Sequence, residues 1–181
     1  VLKQTIDSID IDKEVIRFRI AIEQTKKQMQ ETKKKASEVA NKYSIILDTY
    51  TLLLDDDILV NDTISKIRNE KINAEWAITE TLNKSLLLFD NINDDYLKGK
   101  RDDLELVVHG VIKNLLGHSQ NALADIQKPV ILITHTLSPA DTISIPRQYV
   151  LGLATEVGGK TSHVGIFASA LGIPGVVGIK S

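Results

Sequence analysis

The sequence predicts a helical bundle joined to an incomplete α/β domain. In residues 10–117, apolar side chains recur every three or four positions among charged ones, which is the pattern of amphipathic helices. After Pro129, short β-branched runs alternate with turns and a small-residue helical stretch, an order typical of an α/β domain. The chain is therefore expected to contain two parts of different fold class.

Four or so long helices are expected in the first part. The first apolar series consists of Val15, Phe18, Ile22, Thr25, Met29, Ala36, Val39, Tyr43 and Ile46. Later helices are marked by Val60, Ile64 and Ile67, then by Trp76 or Ala77, Leu82 and Phe89, and finally by Leu97, Leu104, Val108, Val111 and Leu115. Asn73 can cap the third of these helices, and Gly117 fits the position just past the fourth. Long helices with short links are typical of a bundle.

The second part begins with VILIT at residues 130–134, an apolar run expected to form a buried strand. LSPADT predicts a turn into a short helix, because Pro139 suits a first helical position after Ser138. YVLGLATE and IPGVVGIK are further strand candidates, and a stretch with helical spacing lies between them. These elements follow one another in α/β order.

Composition excludes several functional classes. The 181 residues are 43% hydrophobic, 25% charged and 4% aromatic, as in soluble globular proteins, and the net charge of -2 argues against a general nucleic-acid binder. The absence of cysteine excludes disulfides and thiolate metal sites. With neither an apolar run of transmembrane length nor a signal peptide, a cytoplasmic protein without membrane contact is expected. The start at Val1 and the stop at Ser181, straight after a strand-like run, predict a fragment.

The segment GGKTSH precedes the small-residue helical stretch. Gly158 and Gly159 permit backbone conformations that other residues resist. Thr161 or Ser162 can cap the helix, leaving His163 in its first turn, where free N–H groups and the helix dipole favour an anion and disfavour imidazolium. A neutral ring that becomes anionic on phosphorylation suits this position, and so does a histidine that only packs at a strand–helix corner. The residues alone leave both interpretations open.

The stretch GGKTSHVGIFASALGIPGVVG resembles the phosphohistidine signature of the phosphoenolpyruvate-utilising enzymes, in which G-G-x-x-S-H is followed by a small-residue helix and L-G-I-P-A-V-V-G. Its departures are mild: Lys160 stands where arginine is usual, Gly165 where a small Ala or Ser is usual, and Gly175 where Ala is usual. By this resemblance, His163 is the residue that becomes phosphorylated.

Three other segments are similar to the enzyme I branch of that family, the phosphoenolpyruvate–protein phosphotransferases. The segment TLLLDDDIL resembles the motif M-L-L-E-D-E-E-L of that branch. The segment DDYLKGKRDDLELVVHGVIKNLLG resembles its motif D-E-Y-L-K-E-R-A-x-D-V-R-D. The segment VILITHTLSPADT resembles its motif V-I-L-V-A-x-D-L-T-P-S-E-T. The resemblance implies the N-terminal portion of such an enzyme. It implies a partial α/β swivelling phosphohistidine domain, residues 1–9 with 127–181, and an inserted all-α helical-bundle domain, residues 10–126.

The resemblance also implies a reaction. Phosphoenolpyruvate, bound on a C-terminal barrel domain absent from these residues, would phosphorylate His163, which would pass the group to a histidine of the phosphocarrier HPr in sugar uptake. No cofactor or metal is expected in this fragment. The absent barrel would hold Mg²⁺ and would make the full-length enzyme a homodimer.

Several residues take roles by the same resemblance. Thr142 aligns with a threonine that hydrogen-bonds the other ring nitrogen of the active histidine. Lys42 and Lys160 align as neighbours of the phosphate, although Lys42 also suits a solvated position between helices. The remaining phosphate neighbours are Gly158, Gly159, Thr161 and Ser162. Leu106 stands where the family has an aspartate, so a charge-pair role is not expected there.

HPr docking is expected on the helical part. Asp55 and Asp56 could meet a basic HPr surface and speed the encounter. Tyr50 and the run Leu52, Leu53 and Leu54 could supply an apolar docking patch or could simply belong to the core.

Two alternatives remain beside this interpretation. One is the swivelling domain of a pyruvate phosphate dikinase or phosphoenolpyruvate synthase, and the other is a non-catalytic docking module. A zinc site is not expected, because His109, His118 and His135 have no suitably spaced acidic or histidine partners.

Overall fold

The computed structural model describes residues 1–36, 41–89, 95–117, 123, 125–159 and 162–179. The chain divides into two compact units. The first, here called the helical unit, comprises Val1–Lys27 with Tyr50–His118, and the second, the mixed unit, comprises Gln28–Thr49 with Ser119–Ser181.

In the part of the chain that the structure describes, five long helices precede the sheet. They are α1 (Ile11–Ala36), α2 (Asn41–Leu54), α3 (Asp57–Glu70), α4 (Ala74–Phe89) and α5 (Asp95–Leu115). The first predicted series therefore covers two helices, and its member Val39 lies outside the described residues. Phe18, Ile67 and Val111 are fully buried, as their apolar spacing predicted.

The first residues of the chain pack on the helical unit. Thr5 forms an antiparallel bridge with Ile72, in the link between α3 and α4. The Ile6 amide donates to the carbonyl of Lys71 at 2.8 Å, and the Asn73 amide donates to the carbonyl of Gln4 at 3.0 Å. Backbone groups of these first residues thus find partners within the helical unit, whereas residues 1–9 were predicted to belong with the α/β domain.

The mixed unit also departs from the predicted boundaries. It takes in Gln28–Thr49, the end of α1 and most of α2, which were assigned to the bundle. Within it, Lys33 pairs with Asp48 across these two helices at 2.6 Å. A domain boundary that falls inside a continuous helix leaves no composition change in the sequence to mark it.

The sheet contains three parallel strands in the order β1 (Val130–Thr134), β2 (Val150–Thr155) and β3 (Gly175–Val177). Two helices connect them, α6 (Pro139–Ser144) and α7 (His163–Leu171). These elements match the predicted order. The unit's core lies on one face of the sheet, and its buried members are Leu137, Ile145, Val150, Leu153, Val164, Ala168 and Ile173. The other face exposes Ile131, Ile133, Leu151 and Val176.

A charged cluster holds α1, α4 and α5 together in the helical unit. The Arg17 guanidinium contacts Glu14 at 2.6 Å and Glu75 at 2.7 Å, and it donates to the Leu115 carbonyl at the end of α5 at 3.0 Å. Glu14 in turn accepts the Ala74 amide at the start of α4, at 2.6 Å. Each charge thus meets the helix end of opposite polarity.

Burial of the Glu75 carboxyl favours its neutral form, but hydrogen bonds from Arg17, the Glu75 backbone amide and Asn73, together with the charge of Arg17, outweigh that effect, so the pKa of Glu75 is lowered. A carboxyl whose pKa falls on folding stabilises the folded state at neutral pH, and this contribution is lost as the pH falls through the folded-state pKa.

We expect Glu75→Gln to lower the free energy of unfolding at neutral pH by about 1–3 kcal/mol, because Arg17 loses a buried charged acceptor. The difference from wild type should shrink as the solution is acidified. Urea unfolding over a series of pH values measures both effects. Glu80→Gln is the control, since Glu80 is on the same helix as Glu75 and forms a more exposed ion pair, with Lys66 of α3. Equal losses in the two variants would contradict the role given to Glu75.

Candidate functional site

His163 is the first residue of α7. Ser162 precedes the helix in an extended conformation, and its hydroxyl accepts the Gly165 amide at 3.2 Å. The prediction that a hydroxyl caps this helix and leaves the histidine in its first turn is confirmed, with Ser162 as the cap. His163 therefore lies where free N–H groups and the helix dipole favour added negative charge.

The turn before α7 depends on its glycines. Gly158 has a φ of 111°, and a Cβ on it would lie 3.0 Å from the Ser162 hydroxyl. The Gly159 carbonyl accepts the Ser162 amide at 3.0 Å. We refer to Gly158 and Gly159 as the glycine turn. It connects the end of β2 to the cap of α7.

The imidazole of His163 is largely buried, with 8% of the residue exposed. Its Nε2 forms a short hydrogen bond with the carbonyl oxygen of Leu137. Since a carbonyl oxygen only accepts, Nε2 carries the proton in this contact. The resemblance pointed to Thr142 as the group that fixes the ring, and the sequence contained no signal for a backbone carbonyl.

Leu137 lies on a short segment between β1 and α6 that is held at several points. Its side chain is buried in the core of the mixed unit, with 3% exposed. The Thr134 hydroxyl donates to the carbonyl of Thr136 at 3.0 Å, and Ser138 forms a capping box with Asp141 at the start of α6. These contacts fix the direction of the carbonyl that meets His163.

Thr142 is fully buried on α6, which packs against α7. The structure therefore places Thr142 and His163 on neighbouring helices. The hydrogen bond between them that the resemblance implies stays a prediction.

The remaining predicted phosphate neighbours are described only in part. Lys160 and Thr161 lie outside the described residues. Lys42 is on α2 in the same unit as His163, but its side chain lies outside the described part of the chain.

The predicted docking residues separate into interior and surface positions. Tyr50 and Leu54 are buried in the helical unit, with 1% and 0% exposed, and the Tyr50 hydroxyl donates to Asp103 at 2.7 Å. The structure thus corrects their proposed docking role, because core side chains present no surface to a partner. Leu53 is half-buried.

The acidic residues of this region are at the surface. Asp55 pairs with Lys26 at 2.5 Å. Asp56 caps α3 and accepts the Ile58 amide at 2.8 Å. An apolar surface lies beside them. Leu52, which was predicted as part of the apolar patch, is 69% exposed at the end of α2, and Ile58, which sequence reasoning missed, is 66% exposed at the start of α3.

Other sequence expectations concern histidines and metals. His109 is exposed on α5, His135 is exposed and contacts Glu156 at 2.6 Å, and His118 lies outside the described residues. Leu106 is buried on α5.

Within the described ranges, no three carboxylate or imidazole groups come together as a possible metal site. No helix in the described part of the chain is both long enough and apolar enough to span a membrane.

Two family models match the chain. Residues 2–100 match the model for the N-terminal part of phosphoenolpyruvate-utilising enzymes, and residues 126–181 match the model for their mobile domain. This chain belongs to the phosphoenolpyruvate-utilising enzyme family. The resemblance found in the sequence is thereby confirmed, and the mobile-domain match includes the glycine turn and His163.

Known relatives place the chain within this family more closely. It is 36% identical over 173 residues to a phosphoenolpyruvate-protein phosphotransferase of Bacillus sp. (strain S), a match that covers 95% of this chain and 30% of the relative. It is 34% identical over 182 residues to the protein of that name from Mycoplasma capricolum, covering 100% of this chain and 31% of the relative. The chain thus spans about 30% of the length of these relatives.

Solved structures confirm the predicted fold class of a helical bundle with a partial α/β phosphohistidine domain. A solution structure of Enzyme I superposes with a TM-score of 0.78 at 32% identity, covering 98% of this chain and 72% of that one. The N-terminal domain of a nitrogen Enzyme 1 superposes with a TM-score of 0.68 at 24% identity, covering 99% of this chain and 74% of that one. The second likeness concerns the fold alone.

We expect the neutral His163 ring to exist as the tautomer protonated on Nε2, because the Leu137 carbonyl can only accept. Long-range proton–nitrogen correlation spectra of labelled protein distinguish the two ring tautomers. His109, an exposed ring on α5, serves as the internal comparison. A His163 spectrum of the tautomer protonated on Nδ1 would contradict the contact.

Proposed function

We propose that this chain is the phosphoryl-accepting and partner-docking part of a phosphoenolpyruvate–protein phosphotransferase. The observation that carries the proposal is the placement of His163 in the first turn of α7, behind a glycine turn and a serine cap. The names of the curated relatives support the same activity. A dikinase or synthase is expected to contain a swivelling domain without an HPr-docking part. The helical part of this chain therefore favours the phosphotransferase.

In the proposed reaction, a lone pair on a ring nitrogen of His163 forms a bond to the phosphorus of phosphoenolpyruvate. The bond from phosphorus to the enol oxygen breaks, and enolpyruvate leaves with that electron pair and becomes pyruvate on protonation. A histidine nitrogen of HPr then attacks the same phosphorus, and the electron pair of the broken bond returns to His163. The protein's contribution is to orient the ring and to stabilise added negative charge.

The burial of His163 adds a requirement to this mechanism. Only 8% of the residue is exposed, and Nε2 faces the Leu137 carbonyl. A donor therefore reaches the ring only after the ring rotates or the segment between β1 and α6 moves. Attack from Nε2 would require the tautomer protonated on Nδ1, so that Nε2 exchanges its hydrogen bond to Leu137 for the lone pair that attacks phosphorus.

Other parts of the reaction are assigned to the remainder of a longer enzyme. The chain spans about 30% of the length of its relatives. The proposal therefore places the phosphoenolpyruvate site, Mg²⁺ and the homodimer contact outside these 181 residues. Because phosphoenolpyruvate is an intracellular metabolite, the proposed location is the cytoplasm.

HPr docking is proposed at the junction of α2 and α3. Exposed Leu52 and Ile58 flank exposed acidic side chains there, so an apolar contact is bordered by negative charge. A basic HPr surface would be attracted by the charges and held by the apolar contact.

Incubation of this chain with phospho-HPr is expected to add one phosphoryl group, and His163→Ala should abolish the addition. The added group should be lost in acid, as expected of a phosphorus–nitrogen bond. Intact-mass measurement follows both results, with His109→Ala as the control because His109 is exposed and outside the site. Phosphoenolpyruvate alone should not label the chain. Unchanged labelling of His163→Ala would overturn the assignment, and no labelling of wild type would support a non-catalytic docking module.

Replacing Leu52 or Ile58 by serine should raise the KM for phospho-HPr by about three- to tenfold, the loss expected from removing one partly buried aliphatic contact. Since both side chains are exposed, the Tm should change little. Leu87→Ser is the matched control, because Leu87 is 64% exposed on α4. An equal rise in KM for Leu87→Ser would place docking elsewhere.

A further inference from the structure

The loop after β3 approaches the glycine turn closely at Gly178. This residue has a φ of 74°, and a Cβ on it would lie 3.0 Å from the carbonyl oxygen of Gly158. That separation is tighter than nine in ten real Cβ contacts, and the atom that the Cβ would meet belongs to the backbone. A side chain at residue 178 would therefore press on the backbone of the glycine turn.

The backbone around Gly178 is held on both sides. Val177 pairs with Thr155 in the register of β3 with β2. The amide of Ile179 donates to the carbonyl of the same Thr155 at 3.1 Å. The Gly158 side is held as well, since the Val157 amide donates to the His135 carbonyl at 3.0 Å and the Val157 carbonyl accepts the Thr155 hydroxyl at 2.8 Å. Neither loop can move alone, so part of the displacement caused by a Cβ at residue 178 falls on Gly158.

A displacement of Gly158 would be transmitted to the His163 ring through only a few contacts. Gly159 accepts the Ser162 amide at 3.0 Å, and the Ser162 hydroxyl caps α7. His163 is the next residue and opens the helix. The position of the ring thus depends on the position of the glycine turn.

We propose that Gly178 is a positioning residue for phosphoryl transfer. It acts through the glycine turn, by leaving the space that the Gly158 carbonyl occupies, and it makes no contact of its own with the phosphoryl group. The inference rests on the proposed function of His163, and it adds a residue from a different loop to that site.

Gly178→Ala is expected to lower the maximal rate of labelling by phospho-HPr about ten- to hundredfold, since small misplacements of reacting groups cost rates of this order. The KM for phospho-HPr should stay unchanged, because the proposed docking surface is on the helical unit. Gly172→Ala is the matched control: its φ is 65°, yet its Cβ would meet only the end of the Arg147 side chain, at 3.9 Å. Both variants should lower the Tm by a few degrees, about 2–4 °C, with the larger loss for Gly178→Ala, because its Cβ also meets a backbone oxygen.

Asparagine tolerates positive φ better than alanine and still carries a Cβ, so Gly178→Asn and Gly172→Asn provide a second pair if alanine prevents folding. In that pair, only Gly178→Asn should lower the maximal rate of labelling by phospho-HPr. Equal rates within a pair, or a rise in KM in place of a loss of rate, would overturn the positioning role. Failure of wild type to accept a phosphoryl group would instead overturn the proposed function, and a labelled wild type with unaffected Gly178 variants would overturn only this inference.

Discussion

The hydrogen bond from the His163 ring to the Leu137 carbonyl joins residues 26 positions apart in the chain. It decides which ring nitrogen carries the proton, and it limits how the ring can turn. The carbonyl can hold this position because the Leu137 side chain is anchored in the core and because Ser138, the next residue, begins α6 with a capping box. The chemistry of the ring therefore depends on the packing of the segment that links β1 to α6.

Three segments meet at the carboxyl ends of the parallel strands. The segment after β1 supplies the carbonyl of Leu137, the segment after β2 supplies the glycine turn and α7, and the segment after β3 supplies Gly178. Parallel pairing brings these ends to the same edge of the sheet, which is where α/β proteins place their reactive groups. The sheet is small, but its register determines which backbone atoms surround His163.

The burial of His163 and its proposed reactivity are compatible if the resting state is closed. A ring held against a carbonyl is protected from unproductive reactions, and the hydrogen bond can be exchanged when a phosphoryl donor arrives. In the helical unit, by contrast, the proposed docking surface needs no such change, since Leu52 and Ile58 are already exposed. The proposed phosphoryl transfer thus requires a movement around His163, whereas the proposed docking of HPr requires none.

The sequence by itself determined the local features of this protein. Apolar spacing predicted that Phe18, Ile67 and Val111 would be buried, and the segment before α7 predicted a hydroxyl cap, from Thr161 or Ser162, and the place of His163 in the first helical turn. These features depend on residues within one or two helical turns of one another, so periodicity and capping chemistry suffice to find them. The motif resemblance supplied the family.

Only the tertiary structure decided the contacts made at long range. It placed residues 1–9 on the helical unit, turned Tyr50 and Leu54 into the core, and brought the Leu137 carbonyl to His163 and Gly178 to Gly158. Backbone carbonyls are present at every position and glycines occur for many reasons, so neither marks its partner in the sequence. Such contacts are set by strand register and by the packing of distant elements, which local patterns do not contain.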